Sequence, residues 1–281
     1  MATNDLTTLA DVKAWLGRTD TNSDTLLSAL ITRVSRQICS YLQRGTILPH
    51  AVSEVRSGTG GNTLVLRQWP VISVSSVVVG LRTIPQATSP SGGPDLATGP
   101  GWAYEQWDGT PPGRPQALLL RGYSFGQTFP GAGNGQNVLV TYRAGYEVTN
   151  EPQTVIAGIA TVNAPFGEWA SDAGVTYANG TALQAVSGSP AVGQYQISTT
   201  PGVYNFNAGD NGAAILISYG FVPSDLADAC IELVAERYKY SERVGEKSHS
   251  LGGNETVSFD TSRFTPLVTA MLQPYRNSLP Q

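Results

Sequence analysis

The chain is short of charge. Lys, Arg, Asp and Glu together make 14% of its 281 residues, and the net charge is -4. A surface that grips nucleic-acid phosphates wants clustered Lys and Arg, and 17 in total supply no broad basic face. An acidic wall placed around DNA would repel its phosphates. Histidine is scarcer still. His50 and His249 are the only two, and no carboxylate cluster stands at ligand spacing around either, which argues against a structural metal site. Cysteine stops at Cys39 and Cys230. Each lies on an apolar helical face, so buried free thiols are expected rather than a disulfide. No apolar run reaches membrane-spanning length. The opening MATNDLTTLADVK has no basic start and no apolar stretch of a secretory signal. A soluble, cytosolic protein with no membrane partner is the expectation.

What is present is glycine (31), proline (18) and a 41% share of hydrophobic residues, which suits a loop-rich β protein and excludes disorder at so small a net charge. The length allows one large or two small domains with a real core. Thr8 is placed to cap a short helix, with Asp11 to answer it and Gly17 to stop it. A longer helix is expected over Ser23–Gln43, where Leu26, Leu27, Leu30, Ile31, Val34, Ile38 and Leu42 repeat at helical spacing and Gly45 follows. From Ala51 the period changes: VSEVRS, TLVLR and VISVSSVVVG read as strands, with Trp69-Pro70 as a corner. Pro85 to Gly101 reads as a loop, and strands resume at Ala117–Arg121 and Asn137–Tyr142. In Glu147–Gly220 an Asn179-Gly180 turn precedes three candidate strands, QYQIS, GVYNF and AAILISYG. NVLVTYRAGY, ending at Tyr146, and AAILISYGF, ending at Phe221, look alike, as if a β domain had been inserted between a strand and its return.

The block Val222 to Asp260 stands apart, because it is rich in both charges. Pro223 and Ser224 open a helix with acids early (Asp225, Asp228) and bases late (Arg237, Lys239, Arg243), matching the helix dipole. Gly245 ends it, and a polar arm follows. Thr265-Pro266 starts a last short helix. The fold class expected is α+β: a helical core from the N- and C-terminal segments, a β-rich middle, and an inserted small sandwich- or barrel-like β domain. The divisions fall at 1–45, 46–146, 147–220 and 221–281.

Several motifs come close to chemistry without completing it. Gly122-Tyr123-Ser124-Phe125-Gly126 fits the G-x-S-x-G pattern, but GQTFPGAGNGQ follows and cannot be the helix that a nucleophile elbow needs. Gly245-Glu246-Lys247-Ser248 ends a helix where a phosphate loop must begin one. Glu105, Asp108, Glu168 and Asp172 lie near Trp102, Trp107 and Trp169, which leaves a carboxylate pair or a sugar platform open; turn acids beside core or rim tryptophans are the plainer reading.

LTTLADVKAWLG with DTLLSALITRVSRQICSYLQR, LVLRQWPVISVSSVVVG, NVLVTYRAGY, VPSDLADACIELVAERYKYSERVGEKS and MLQPYR occur in that order along the chain. In this order they resemble the head–tail connector (adaptor) proteins of tailed bacteriophages, over about Leu6–Tyr146 and Phe221–Arg276. The family's TYRAGY-like strand usually runs straight into its VPSDL-like helix. Here Glu147–Gly220 intervenes, and it resembles a β module of other phage virion proteins.

The resemblance implies a homo-oligomeric ring, usually of twelve copies, seated under the portal protein at the capsid vertex. Such a ring extends the DNA channel and offers a platform to a head-completion (stopper) or tail protein. It implies no reaction and no cofactor, DNA passing without sequence-specific binding, and a place at the head–tail junction of the virion after assembly in the host cytoplasm. A low-charge, slightly acidic body suits such a channel. Helices Ser23–Gln43 and Ser224–Val244 would build the wall. The arm Gly245–Asp260 would order on a neighbour or on the portal, anchored by Val257 and Phe259. The candidate interface residues are then Arg237, Arg243, Glu246, Lys247, Val257, Phe259 and Tyr275. Two alternatives stay open: a virion module in which Glu147–Gly220 recognises a glycan or a protein, and a serine hydrolase at Ser124.

Overall fold

The structure is a computed structural model that describes residues 4–58, 60–88, 99–105, 117–124, 135–240, 248–250, 256–258 and 264–277. The chain divides into two compact units, one helical and one of β-sheet.

The helical unit draws on Met1–Ile47, Ala164–Glu168 and Val222–Arg276. Its helices are α1 (Leu9–Trp15), α2 (Asp24–Tyr41), α3 (Ser224–Tyr240) and α4 (Pro266–Leu272). Thr8 caps α1 as expected, its hydroxyl oxygen accepting from the Asp11 N–H at 3.2 Å, and Gly17 leaves the helix at φ 65. Helix α2 buries Leu27, Ile31, Val34 and Ile38, each side chain stabilising the unit by about 2 kcal/mol. Leu26 does not share that face; it is 45% exposed. The helix stops at Tyr41, and the left-handed residue beyond it is Gln43 (φ 57), not Gly45. Helix α3 buries Leu226, Cys230, Leu233 and Val234. Both thiols are free and buried, and the Ser35 hydroxyl of α2 lies 3.5 Å from Cys230 Sγ of α3. Thr265 caps α4, accepting from the Val268 N–H at 3.2 Å, with Pro266 at its first position. Ahead of α4, Phe264 packs edge-on against Tyr41 at 5.0 Å between ring centroids. A two-stranded hairpin of β15 (Ser248–Ser250) and β16 (Thr256–Ser258) lies between α3 and α4 in the chain.

The β unit begins with β1 (His50–Arg56), β2 (Thr63–Val65), β3 (Val71–Val79), β4 (Arg82–Ile84), β5 (Gly101–Glu105), β6 (Ala117–Arg121) and β7 (Val138–Ala144). These strands make two sheets, in the orders β1-β7-β3-β4 and β2-β6-β5. Leu64, Val77, Trp102, Leu118, Val140 and Tyr142 from both sheets share one buried cluster. Alternation along β7 is complete: Val138, Val140, Tyr142 and Ala144 are buried and the residues between them less so. The Trp69–Pro70 peptide is cis.

The chain continues through β8 (Glu147–Thr154), β9 (Ile159–Thr161), β10 (Gly167–Tyr177), β11 (Gln184–Ala185), β12 (Gln194–Ile197), β13 (Val203–Phe206) and β14 (Ala214–Pro223). Two further sheets result, β10-β14-β8 and β11-β12-β13-β9. Strand β14 runs directly into α3. The two look-alike strand ends meet. Glu147 of β8 pairs with Gly220 of β14, the Phe221 N–H donates to the Tyr146 carbonyl at 3.1 Å, and the two rings stand edge to face at 5.7 Å.

The α+β class with a helical core is overturned. Among the described residues strands take 38% and helices 25%, and sixteen strands in five sheets stand against four α-helices. The charged, strongly periodic helices stand out in the sequence. Strands built of Gly, Ser, Thr, Asp and Ala, exposed on both faces to similar degrees, show little alternation and were undercounted. Strand β10 (GEWASDAGVTY) is one, with ten of its positions outside the buried class.

Candidate functional site

Two of the interface residues singled out in the sequence, Arg237 and Tyr275, have side chains placed in the helical unit. Arg237 sits on α3 and its guanidinium donates to the Gln37 side-chain oxygen of α2. It therefore helps join two helices of the same chain. Tyr275 lies in a short 3-10 turn, Gln273–Tyr275, after α4. Its hydroxyl donates to Asp225 at 3.2 Å, and its carbonyl accepts from Arg44 Nε at 3.1 Å. Burial, with the Asp225 carboxylate adding, pushes the Tyr275 hydroxyl up to about 12, so it remains a neutral donor. Val257 stands in β16 opposite His249 of β15. Arg243, Glu246, Lys247 and Phe259 lie outside the described residues. Of the candidate interface, the structure thus places Arg237 and Tyr275 by side chain and Val257 by backbone.

A cavity of about 420 Å³ opens beside the end of α2, lined by Asn4, Asp5, Thr32, Arg36, Cys39 and Arg44, among others. Burial pushes the Cys39 thiol up, and the Arg44 guanidinium offsets part of that. A thiol held protonated is a poor nucleophile. Cys230, pushed up to about 12 by burial, is less reactive still.

The other residues considered for chemistry have structural partners or stand apart. Gly122 takes φ 71 directly after β6, and Ser124 follows without regular structure; Gly126 lies outside the described residues, as do Trp107 and Asp108. Asp172 of β10 accepts from the Tyr195 hydroxyl at 2.6 Å, the Tyr204 hydroxyl at 3.1 Å and the Gly174 N–H at 3.2 Å. Trp169 Nε1 donates to the Tyr204 oxygen at 3.0 Å. Glu168, four residues before Asp172, belongs to the helical unit, where Asp11 and Asp228 act on it. Among the described residues no group of three or more His, Cys, Asp or Glu is arranged to hold a metal ion, and no helix is long and apolar enough to cross a membrane.

Sequence reasoning missed a recurring device of the β unit, the tyrosine–carboxylate tie. Tyr142 of β7 donates to Glu54 of β1 at 2.8 Å and accepts from the Gln68 N–H at 3.1 Å. Tyr219 of β14 donates to Glu151 of β8 at 2.5 Å, and Tyr177 of β10 donates to Asp210 at 2.5 Å. With Tyr195 and Tyr204 on Asp172, these ties join β1 to β7, β14 to β8, and β10 to β12 and β13. Burial raises Tyr142, Tyr195 and Tyr204, with the carboxylates adding to it; at Tyr177 the bond to Asp210 is the larger cause. All four stay neutral donors at ordinary pH. No spacing announces them, since partners lie from 23 to 88 residues apart.

No family model matches the chain, and none of the curated proteins is significantly similar to it.

Proposed function

We propose that this protein is a structural adaptor of a tailed bacteriophage. It assembles as a ring under the portal, prolongs the DNA channel and joins the capsid to a stopper or tail protein, without catalysing a reaction. The observation that carries this reading is the meeting of the two chain ends. The helical segments at the two ends, which resemble the opening and closing helices of connector proteins, pack on each other in one helical unit, with Ser35 touching Cys230 across 195 residues of chain. Two further features support it. The body carries little charge for DNA to adhere to. The hairpin β15–β16 pairs with no further strand among the described residues, and two strands alone are marginal in water. It gains a packing surface if a neighbouring copy or the portal supplies one.

The glycan-binding alternative draws little support from the rings that suggested it. Trp102 is 5% exposed, Trp169 donates to the Tyr204 oxygen at 3.0 Å, and Trp107 lies outside the described residues. Mixing the purified full chain with its portal protein, followed by light scattering and rotationally averaged negative-stain images, tests the adaptor reading. The expected result is a ring bound coaxially to the portal, whose copies the images count. A protein that stays monomeric both alone and with the portal overturns it.

A further inference from the structure

Five residues between β9 and the start of β10, Ala164–Glu168, belong to the helical unit, the last two being the first residues of β10. Ala164–Gly167 form a tight turn: Ala164 has φ 44, and the Gly167 N–H reaches back to the Ala164 carbonyl at 3.5 Å. Gly167 is seated backbone to backbone on Val222 and Pro223, the last two residues of β14. A Cβ at this position would come within 2.8 Å of the Val222 carbonyl carbon and 2.9 Å of Pro223 Cα, at φ +154. No side chain fits there, so the turn has one tightly defined seat.

Beside that seat lies Glu168. One of its carboxyl oxygens, Oε2, is buried without a hydrogen-bond partner. The charges acting on it are Asp11 from α1 and Asp228 from α3, both of its own sign. Cys230 of α3, which also feels Glu168, carries an uncharged thiol. A carboxyl group with a buried, unpartnered oxygen and two like charges acting on it favours its protonated form.

We propose that residues 164–168 are a pH-operated latch, closed on the helical unit while Glu168 is protonated and opened when Glu168 ionises. This stands independently of the adaptor reading. Burial, then Asp11 and Asp228, push the seated carboxyl from 4.5 up to about 7. An acid raised on closing binds its proton more tightly in the closed form. The latch is therefore firmest below the released value, loosens as pH rises toward the seated value, and levels off above it. With those two values, opening rises about tenfold between about pH 6 and about pH 8. Opening frees the Val222–Pro223 backbone at the end of β14, just ahead of α3.

Hydrogen exchange of the full chain, followed by mass spectrometry on peptides that span 166–168 and corrected for intrinsic exchange rates, reads this directly. The wild type is expected to show the tenfold rise. Glu168→Gln, neutral throughout, is expected to remain protected with no rise. Asp228→Asn, which removes one like charge at an exposed position, is expected to give a smaller rise than the wild type and serves if Glu168→Gln fails to fold. Equal protection of the wild type at both pH values overturns the latch. So does a full rise retained in either variant.

Discussion

Deleting one carboxylate tests how the segment between β8 and β14 is held. In Asp172→Ala the hydroxyls of Tyr195 and Tyr204 lose their acceptor, as does the Gly174 N–H. Neither ring can turn its hydroxyl to water without leaving its packing, since they are 2% and 0% exposed. A hydrogen bond to a charged acceptor contributes about 1.5–3 kcal/mol, and a stranded buried donor costs about 1–3 kcal/mol. Asp172 is itself only half-buried, and the Tyr204 oxygen keeps the Trp169 N–H at 3.0 Å. The expected loss is therefore about 3–4 kcal/mol, a large part of a domain's margin of about 5–15 kcal/mol. Urea unfolding of the full chain followed by tryptophan fluorescence measures it, Trp169 being a local reporter. Tyr195→Phe is expected to cost about 1–2 kcal/mol, and the double variant less than the sum of the two, because Phe leaves no hydroxyl to strand. A loss under about 0.5 kcal/mol for Asp172→Ala, or strict additivity in the double variant, refutes the reasoning.

Tyr142→Phe removes the hydroxyl that joins Glu54 to the Gln68 N–H, and is expected to cost about 2–3 kcal/mol in the same assay. Glu54→Gln, which keeps an oxygen acceptor, should cost less. Gly145→Ala is expected to lower the melting temperature sharply, because at φ +134 its Cβ would lie 2.5 Å from the Leu48 carbonyl. Gly174→Ala serves as the control: its φ is +119 but no atom lies within 4 Å, so only backbone strain of about 1–3 kcal/mol is expected.

Local signals that combine period with a cap were legible. Thr8 and Thr265-Pro266 start their helices where the sequence places them, and α2 buries Leu27, Ile31, Val34 and Ile38 at the expected spacing. The β-branched run of β3 was equally clear. The illegible strands lack alternation. Strand β8 contains Pro152 and a left-handed Asn150 (φ 57), both of which read as turn signals. Strand β5 (GWAYE) begins at Gly101, the last residue of the stretch read as loop, and was not assigned. Of the candidate site, the helix pair was legible because its apolar face repeats along the chain. Arg237 was chosen for its charge, yet its partner Gln37 lies on a helix 200 residues away. Glu168 read as a turn acid; its isolation among like charges depends on three segments that only folding brings together.

The pairing of Glu147 with Gly220 has a practical consequence. Paired antiparallel residues stand about 5 Å apart, close to the span of one or two chain bonds. Deleting the residues between them and splicing β7 to α3 through a short turn leaves β7 its pairing with β1 and β3, at the loss of Ala164–Glu168 from the helical unit. The same position accepts a foreign domain whose ends lie side by side. It is a grafting point, where cargo can be exchanged without redesigning the scaffold that bears it.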